Sequence, residues 1–189
     1  MSAGLVLLCL FALFPLSEIA LAVWKRAKPG MADRQDRGSL RLLWAAIGVG
    51  LALAIAAQWA PFARLPVPQT VLQPVAIFVI LTGLVVRWVS ILILGRFFTV
   101  DVAIQPGHRI IRAGPYRYLR HPSYTGLLLA FLGLGIAFSN WLSLFCLLVP
   151  ISLAVANRVA REEEALHAAL GEEYATYCRQ TKRLVPGLL

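Results

Sequence analysis

The chain has 189 residues, 59% of them apolar and only 14% charged, and its mean hydropathy of +0.74 excludes an ordinary soluble domain. Its 18 Lys and Arg against 9 Asp and Glu leave a net charge of +9, but these cations flank apolar stretches and form no separate basic domain, which argues against nucleic acid as a partner. Cys9, Cys146 and Cys178 are isolated, with neither metal-ligand spacing nor a disulfide framework, and no metal is expected.

A hydrocarbon core of about 30 Å needs roughly 20 mostly apolar residues in a helix. The first such run is Leu5 to Trp24. No positive charge precedes it, whereas Lys25, Arg26 and Lys28 follow it, the wrong order for a cleaved signal peptide. A retained span is expected. The second run is Leu40 to Ala60, closed by Pro61, Pro66 and Pro68, which mark a short outer loop. The third, Val71 to Leu94, carries Arg87 mid-way, where a charge is costly. Arg87 reads first as part of a buried ion pair or as a snorkelling side chain, and second as a catalytic group.

Tyr124 to Asn157 is too long for one crossing, and Ser139-Asn140 interrupts it, so a tight helical hairpin is expected. Gly126, Gly133 and Gly135 within it allow close helix packing. An amphipathic tail helix follows from about 158 to 180, interrupted or bent at Gly171-Glu172-Glu173-Tyr174. The fold class is thus an all-α integral membrane protein of about five transmembrane helices. Two parts are expected, residues 1–94 with three spans and residues 95–189 with most of the polar inventory.

The connections alternate in charge. Lys25, Arg26, Lys28, Arg34, Arg37 and Arg41 crowd the first, and Arg64 stands alone in the second. Arg96, Arg109, Arg112, Arg117 and Arg120 fill the third, the fourth has none, and Arg158, Arg161, Arg179, Lys182 and Arg183 follow the last span. The positive-inside rule then puts the N-terminus outside and both the 95–123 segment and the C-terminus in the cytoplasm.

Two segments carry chemistry. The first runs from Gln105 to Tyr124, too polar to face lipid and too rich in glycine and aromatics for an ordinary linker. Pro122 suits a first helical turn, which makes His121 the N-cap beside free backbone donors. A basic loop whose tyrosines anchor it at the membrane interface accounts for the same residues equally well. The second is Asn157-Arg158-Val159-Ala160-Arg161-Glu162-Glu163-Glu164. Arg158 and Glu162 lie four apart on one helix face, in the order less favourable for a simple salt bridge, and together suit two ends of a reaction. Glu163 and Glu164 read as solvated charges.

The run Gly114-Pro115-Tyr116-Arg117-Tyr118-Leu119-Arg120-His121-Pro122-Ser123-Tyr124-Thr125-Gly126 resembles the signature of the isoprenylcysteine carboxyl methyltransferase family. So does the later set of Arg158, Glu162-Glu163, Gly171-Glu172-Glu173-Tyr174 and Arg183-Leu184-Val185-Pro186-Gly187. The resemblance covers roughly residues 95–189. It implies an S-adenosylmethionine pocket lined by His108, Arg109, Ile110, Ile111, Tyr116, His121, Pro122, Ser123, Tyr124 and Glu162. An upstream polar contact falls to Gln105 or Asp101, and Arg158 is implied to hold the substrate carboxylate. It further implies a carboxyl O-methyltransferase in a bacterial inner membrane, taking cofactor from the cytosol and a lipophilic or lipidated substrate from among the membrane lipids. A phospholipid amine N-methyltransferase, a membrane sterol or enone reductase using NADPH, and a non-enzymatic scaffold are the alternatives.

Overall fold

The computed structural model describes residues 3–24, 36–100, 104 and 107–184. Among them the regular elements are all helical: α1 Ala3–Trp24, α2 Asp36–Ala57, α3 Gln69–Leu94, α4 Pro122–Ala137, α5 Trp141–Leu170 and α6 Glu172–Gln180. Four of these, α1, α2, α3 and α5, are long and apolar enough to cross a membrane. The fifth apolar helix, α4, has 16 residues and is about 24 Å long, shorter than the hydrocarbon core. Helices are forced because lipid offers the backbone no hydrogen-bond partners. Outward side chains such as Phe78, Val85, Leu92, Phe145 and Leu153 are exposed, as in a protein solvated by lipid.

The pairing of helices follows from small residues and a polar turn. α3 packs along α4, and α2 along α5. A Cβ on Gly83 would strike the α4 backbone at Gly126 and Ala130, and one on Gly126 would strike Arg87, so the two helices touch main chain to main chain. The hairpin expected at Ser139-Asn140 forms there. Ser139 has φ of 53°, and Asn140 caps α5 by accepting from the Ser143 N–H at 3.1 Å. Asn140 Nδ2 also donates to Ala60 O at 3.1 Å, and Ser143 Oγ donates to Ala54 O at 2.8 Å, which ties the turn to the end of α2. A core of Phe14, Leu43, Leu127, Phe131, Leu147, Ile151 and Val155 fills the bundle between them.

Past the bilayer end of α5 the helix does not stop. α5 continues unbroken through Arg158 to Leu170, so the last span and the first part of the expected tail helix are one element. Gly171, at φ +52°, breaks it and starts α6. The chain then returns beside the polar loop, where Arg120 N donates to Lys182 O at 2.8 Å, His121 N to Arg183 O at 3.1 Å, and Lys182 N to Tyr118 O at 3.0 Å. Tyr177 Oη adds a bond to Tyr116 O at 2.7 Å. The loop, α6 and the returning segment thereby close one end of α4 and α5.

Candidate functional site: two cavities meeting at Tyr124

Where the loop, α5 and α6 converge they form an open cleft with mixed polar and aromatic walls. Its walls are Leu94 at the end of α3, Phe97, Phe98 and Thr99 just after it, Ile104, His108, Arg109, Ile110 and Ile111 from the loop, and Tyr116, Arg120 and His121 before α4. Ser123 and Tyr124 from the first turn of α4, Glu162, Leu166 and Leu170 from α5, and Tyr174 and Tyr177 from α6 complete it. Nine of the residues singled out from the sequence therefore share one cleft: His108, Arg109, Ile110, Ile111, Tyr116, His121, Ser123, Tyr124 and Glu162. Pro122 is buried as the first residue of α4 behind this wall. Gln105 and Asp101 lie outside the described residues. Beyond Glu162, the walls from α5 and α6 were not anticipated, although Glu162, Leu166 and Leu170 repeat at the four-residue spacing of a single helix face.

Arg158 lines a second, smaller cavity that shares Tyr124 with the cleft. Leu21, Leu40, Leu43, Trp44, Ile47 and Leu127 make it largely apolar, and Glu18, Arg87 and Arg158 are its charged residues. Phe98, Thr99 and Tyr124 line both cavities. Arg158 is only 2% exposed. Its Nε donates to Tyr124 Oη at 2.6 Å, its Nη1 to Ser39 Oγ at 3.1 Å, and its Nη2 to Val100 O. Tyr124 Oη in turn donates to Glu162 Oε1, which stands 3.6 Å from Arg158 Nε. The pair read from four-residue spacing is thus bridged by a tyrosine hydroxyl.

Glu163 departs from the sequence reading. It is 6% exposed, because the loop and the returning tail cover its face of α5. Oε1 accepts from Arg120 Nε at 2.8 Å, and Oε2 accepts from Arg183 Nε at 2.9 Å. Glu164 does face solvent. His121, the N-cap of α4, stands between the two carboxylates: Nδ1 is 3.4 Å from Glu162 Oε2. Nε2 is 3.4 Å from Glu163 Oε1, an ion-pair distance without an aligned hydrogen bond. Burial lowers its pKa, but contacts with Glu162 and Glu163 outweigh that and raise it above the usual 6.5. His108 differs. Burial alone lowers its pKa, its Nδ1 has no hydrogen-bond partner, and its ring lies 5.0 Å from that of Phe97. Burial raises the Tyr116 pKa and pushes that of Tyr177 up to about 12.

Arg87 is held by Glu18 of α1, with Nε to Oε1 and Nη2 to Oε2 both at 2.5 Å. A third donor, Nη1, reaches Ser123 O at 3.2 Å. The expected ion pair is present, and it borders a cavity. Among the described residues no group of three or more His, Cys, Asp or Glu is placed to hold a metal ion.

The cleft offers polar and aromatic contacts to a ligand, and the smaller cavity sets the Arg158 guanidinium among largely apolar side chains. Residues 75–168 match the model of the isoprenylcysteine carboxyl methyltransferase (ICMT) family. Protein-S-isoprenylcysteine O-methyltransferase B of Arabidopsis thaliana is 29% identical over 109 residues, covering 57% of this chain and 55% of the relative. The A protein of the same plant is 30% identical over 112 residues, covering 58% and 57%. The chain thus matches a little over half the length of these relatives. A solved structure of the eukaryotic intramembrane Ras methyltransferase ICMT shares the fold, with a TM-score of 0.58 and 22% identity, covering 81% of this chain and 52% of that one.

Proposed function

The chain belongs to the isoprenylcysteine carboxyl methyltransferase family, matched over residues 75–168, and from that premise we propose that it transfers a methyl group from S-adenosylmethionine to the carboxylate of a lipophilic acid. A prenylcysteine or another isoprenoid or lipid acid fits this role. The observation that carries the proposal is Arg158, a buried guanidinium lining a largely apolar cavity, one tyrosine hydroxyl away from the neighbouring cleft.

The cleft's own groups fit the proposed cofactor. Glu162 and the His121 ring offer a carboxylate and an N–H to an amino-acid headgroup. His108, with its unpartnered Nδ1, offers a further polar contact, while Phe97, Tyr116 and Tyr177 give aromatic surfaces for a purine. Bound in the cleft, S-adenosylmethionine would supply an electrophilic methyl carbon on a sulfonium, and the acceptor's carboxylate oxygen would form the new C–O bond as the C–S bond breaks with its electron pair left on sulfur. No proton moves, because a carboxylate of pKa about 3.5 is already ionised at pH 7. The protein's task is then alignment, which contributes up to about 7–11 kcal/mol in well-oriented systems. Arg158 orients the acceptor through charge-assisted contacts. The apolar walls keep water from solvating charges that vanish on transfer. The same guanidinium repels an ammonium, which disfavours an amine lipid as acceptor.

The charge pattern of the connections supports a cytoplasmic cleft, with the acceptor arriving from the bilayer. Titrating the purified protein with S-adenosylmethionine and, in parallel, with NADPH tests the cofactor. Saturable binding of the first supports the reading, and binding of NADPH alone overturns it.

A further inference from the structure

Two buried serine hydroxyls tie α2 to α5, one towards each end of the pair. Ser143 Oγ of α5 donates to Ala54 O of α2 at 2.8 Å, and Arg158 Nη1 of α5 donates to Ser39 Oγ of α2 at 3.1 Å. The helices run antiparallel, and Ser39 to Ala54 on one matches Ser143 to Arg158 on the other, about 22 Å of helix in each. The two ties differ in what they hold. Ala54 O is backbone, fixed by its place in α2, and also accepts the Gln58 N–H at 3.1 Å. Arg158 is a long side chain whose guanidinium is placed by what its nitrogens bond to: Nε to Tyr124 Oη of α4 at 2.6 Å, Nη2 to Val100 O after α3, and Nη1 to Ser39.

Packing of α2 on α5 does not depend on the Ser39 bond. A Cβ on Gly50 would stand 3.1 Å from Cys146 O and 3.3 Å from Leu147 O, so the two backbones already approach closely. Leu43 and Ala54 of α2 and Leu147, Ile151 and Ala154 of α5 share one buried core. Ser39 is itself 3% exposed, so water does not compete for its bond. Leu40, Leu43, Trp44 and Ile47 of the same helix line the cavity that Arg158 lines. α2 therefore supplies both the wall beside the guanidinium and a bond that sets its plane.

We infer that Ser39 is a positioning residue for methyl transfer, its hydroxyl orienting the Arg158 guanidinium and, through it, the acceptor carboxylate. This rests on the proposed carboxyl methylation. A planar guanidinium directs its N–H groups within one plane, so a tilt redirects the oxygen it holds, and alignment is what the protein contributes to this reaction. Without the hydroxyl the Nη1 corner loses one fixed acceptor and the group gains freedom to tilt. Ser39 lies outside residues 75–168, which match the family, so this hold on Arg158 comes from a part of the chain that the match does not cover.

The test is steady-state methylation of N-acetyl-S-farnesylcysteine by the purified full chain in detergent, beside S-adenosylmethionine titration and thermal unfolding. Ser39→Ala should lower kcat about tenfold, the kinetic equivalent of losing one hydrogen bond to a charged group, with cofactor affinity unchanged within about twofold on that scale. Ser39→Thr keeps the hydroxyl and should recover most of the rate. Ser143→Ala removes the matching tie at the far end of the same helix pair and should cost stability while leaving kcat unchanged. No loss in Ser39→Ala, an equal loss in Ser39→Thr, or an equal loss in Ser143→Ala overturns the inference while carboxyl methylation stands. A wild-type protein that does not methylate the acid overturns the proposed reaction and this inference with it.

Discussion

Tyr124 accepts the Arg158 Nε–H at 2.6 Å, and through this one contact the wall of the cleft and the charged end of the apolar cavity become a single rigid unit. Tyr124 also donates to Glu162, so its hydroxyl is satisfied from both sides. The cation proposed to orient the acceptor and the carboxylate proposed to face the cofactor are held in register by a residue that itself lines both cavities.

Removing that hydroxyl should separate binding from alignment. Tyr124→Phe keeps the ring in the core and deletes the bridge. S-adenosylmethionine affinity should change by less than about threefold, whereas kcat should fall at least about tenfold, since a lost buried hydrogen bond costs on the order of 1–3 kcal/mol. Single-turnover kinetics beside a cofactor titration checks this. A fall in cofactor affinity as large as the fall in kcat would mean that Tyr124 serves the cofactor directly.

Glu163 accepts from Arg120 of the loop and Arg183 of the tail, so it fastens two chain segments to α5. Glu163→Gln retains the shape and removes the charge. The 181–184 segment should open more readily, by about 1.5–3 kcal/mol for the weakened charge-assisted bonds. Trypsin cleavage after Lys182 or Arg183 should accelerate in proportion. Unchanged cleavage with the fold intact would show that the backbone bonds at Tyr118, Arg120 and His121 hold the tail unaided.

The stability of the closed end should depend on pH through His121. Its folded pKa is raised above the ordinary 6.5 by Glu162 and Glu163, which outweigh burial. A raised pKa means that the folded state holds the proton more tightly, so the contribution is full below about pH 6.5 and is lost as pH rises through the folded value. Thermal unfolding in detergent from about pH 6 to 9 should show the wild type losing stability towards the alkaline side, with the slope reduced in His121→Gln. A flat difference between the two proteins would contradict the protonated bridge.

The apolar runs and the Ser139-Asn140 break were legible because lipid leaves the backbone only helices and because a polar dipeptide is conspicuous in an apolar run. The convergence of His108, Tyr116, His121, Tyr124 and Glu162 on one cleft was implied by the family resemblance of their motifs, whereas their chemistry alone left an interfacial loop equally open. Glu163 was not. In Glu162-Glu163-Glu164 the sequence does not say which carboxylate turns inward, and the cations that decide it, Arg120 and Arg183, stand 43 and 20 residues away. The partner of Arg87 was hidden for the same reason: Glu18 is 69 residues distant, and no local pattern links them. The continuous course of α5 into the tail was missed because the change in polarity at Asn157-Arg158 looks like a boundary, although the backbone has no reason to stop before Gly171.

The most direct measurement gives membranes containing the protein labelled S-adenosylmethionine together with a prenylcysteine acid or, separately, phosphatidylethanolamine, for the wild type, Arg158→Ala and Arg158→Lys. Carboxyl methylation directed by Arg158 should give base-labile methyl ester on the acid, its loss in Arg158→Ala with S-adenosylmethionine binding retained, and only partial recovery in Arg158→Lys, since an ammonium cannot reproduce the planar two-point grip. Label found only on the amine lipid, with Arg158→Ala still active, would contradict it.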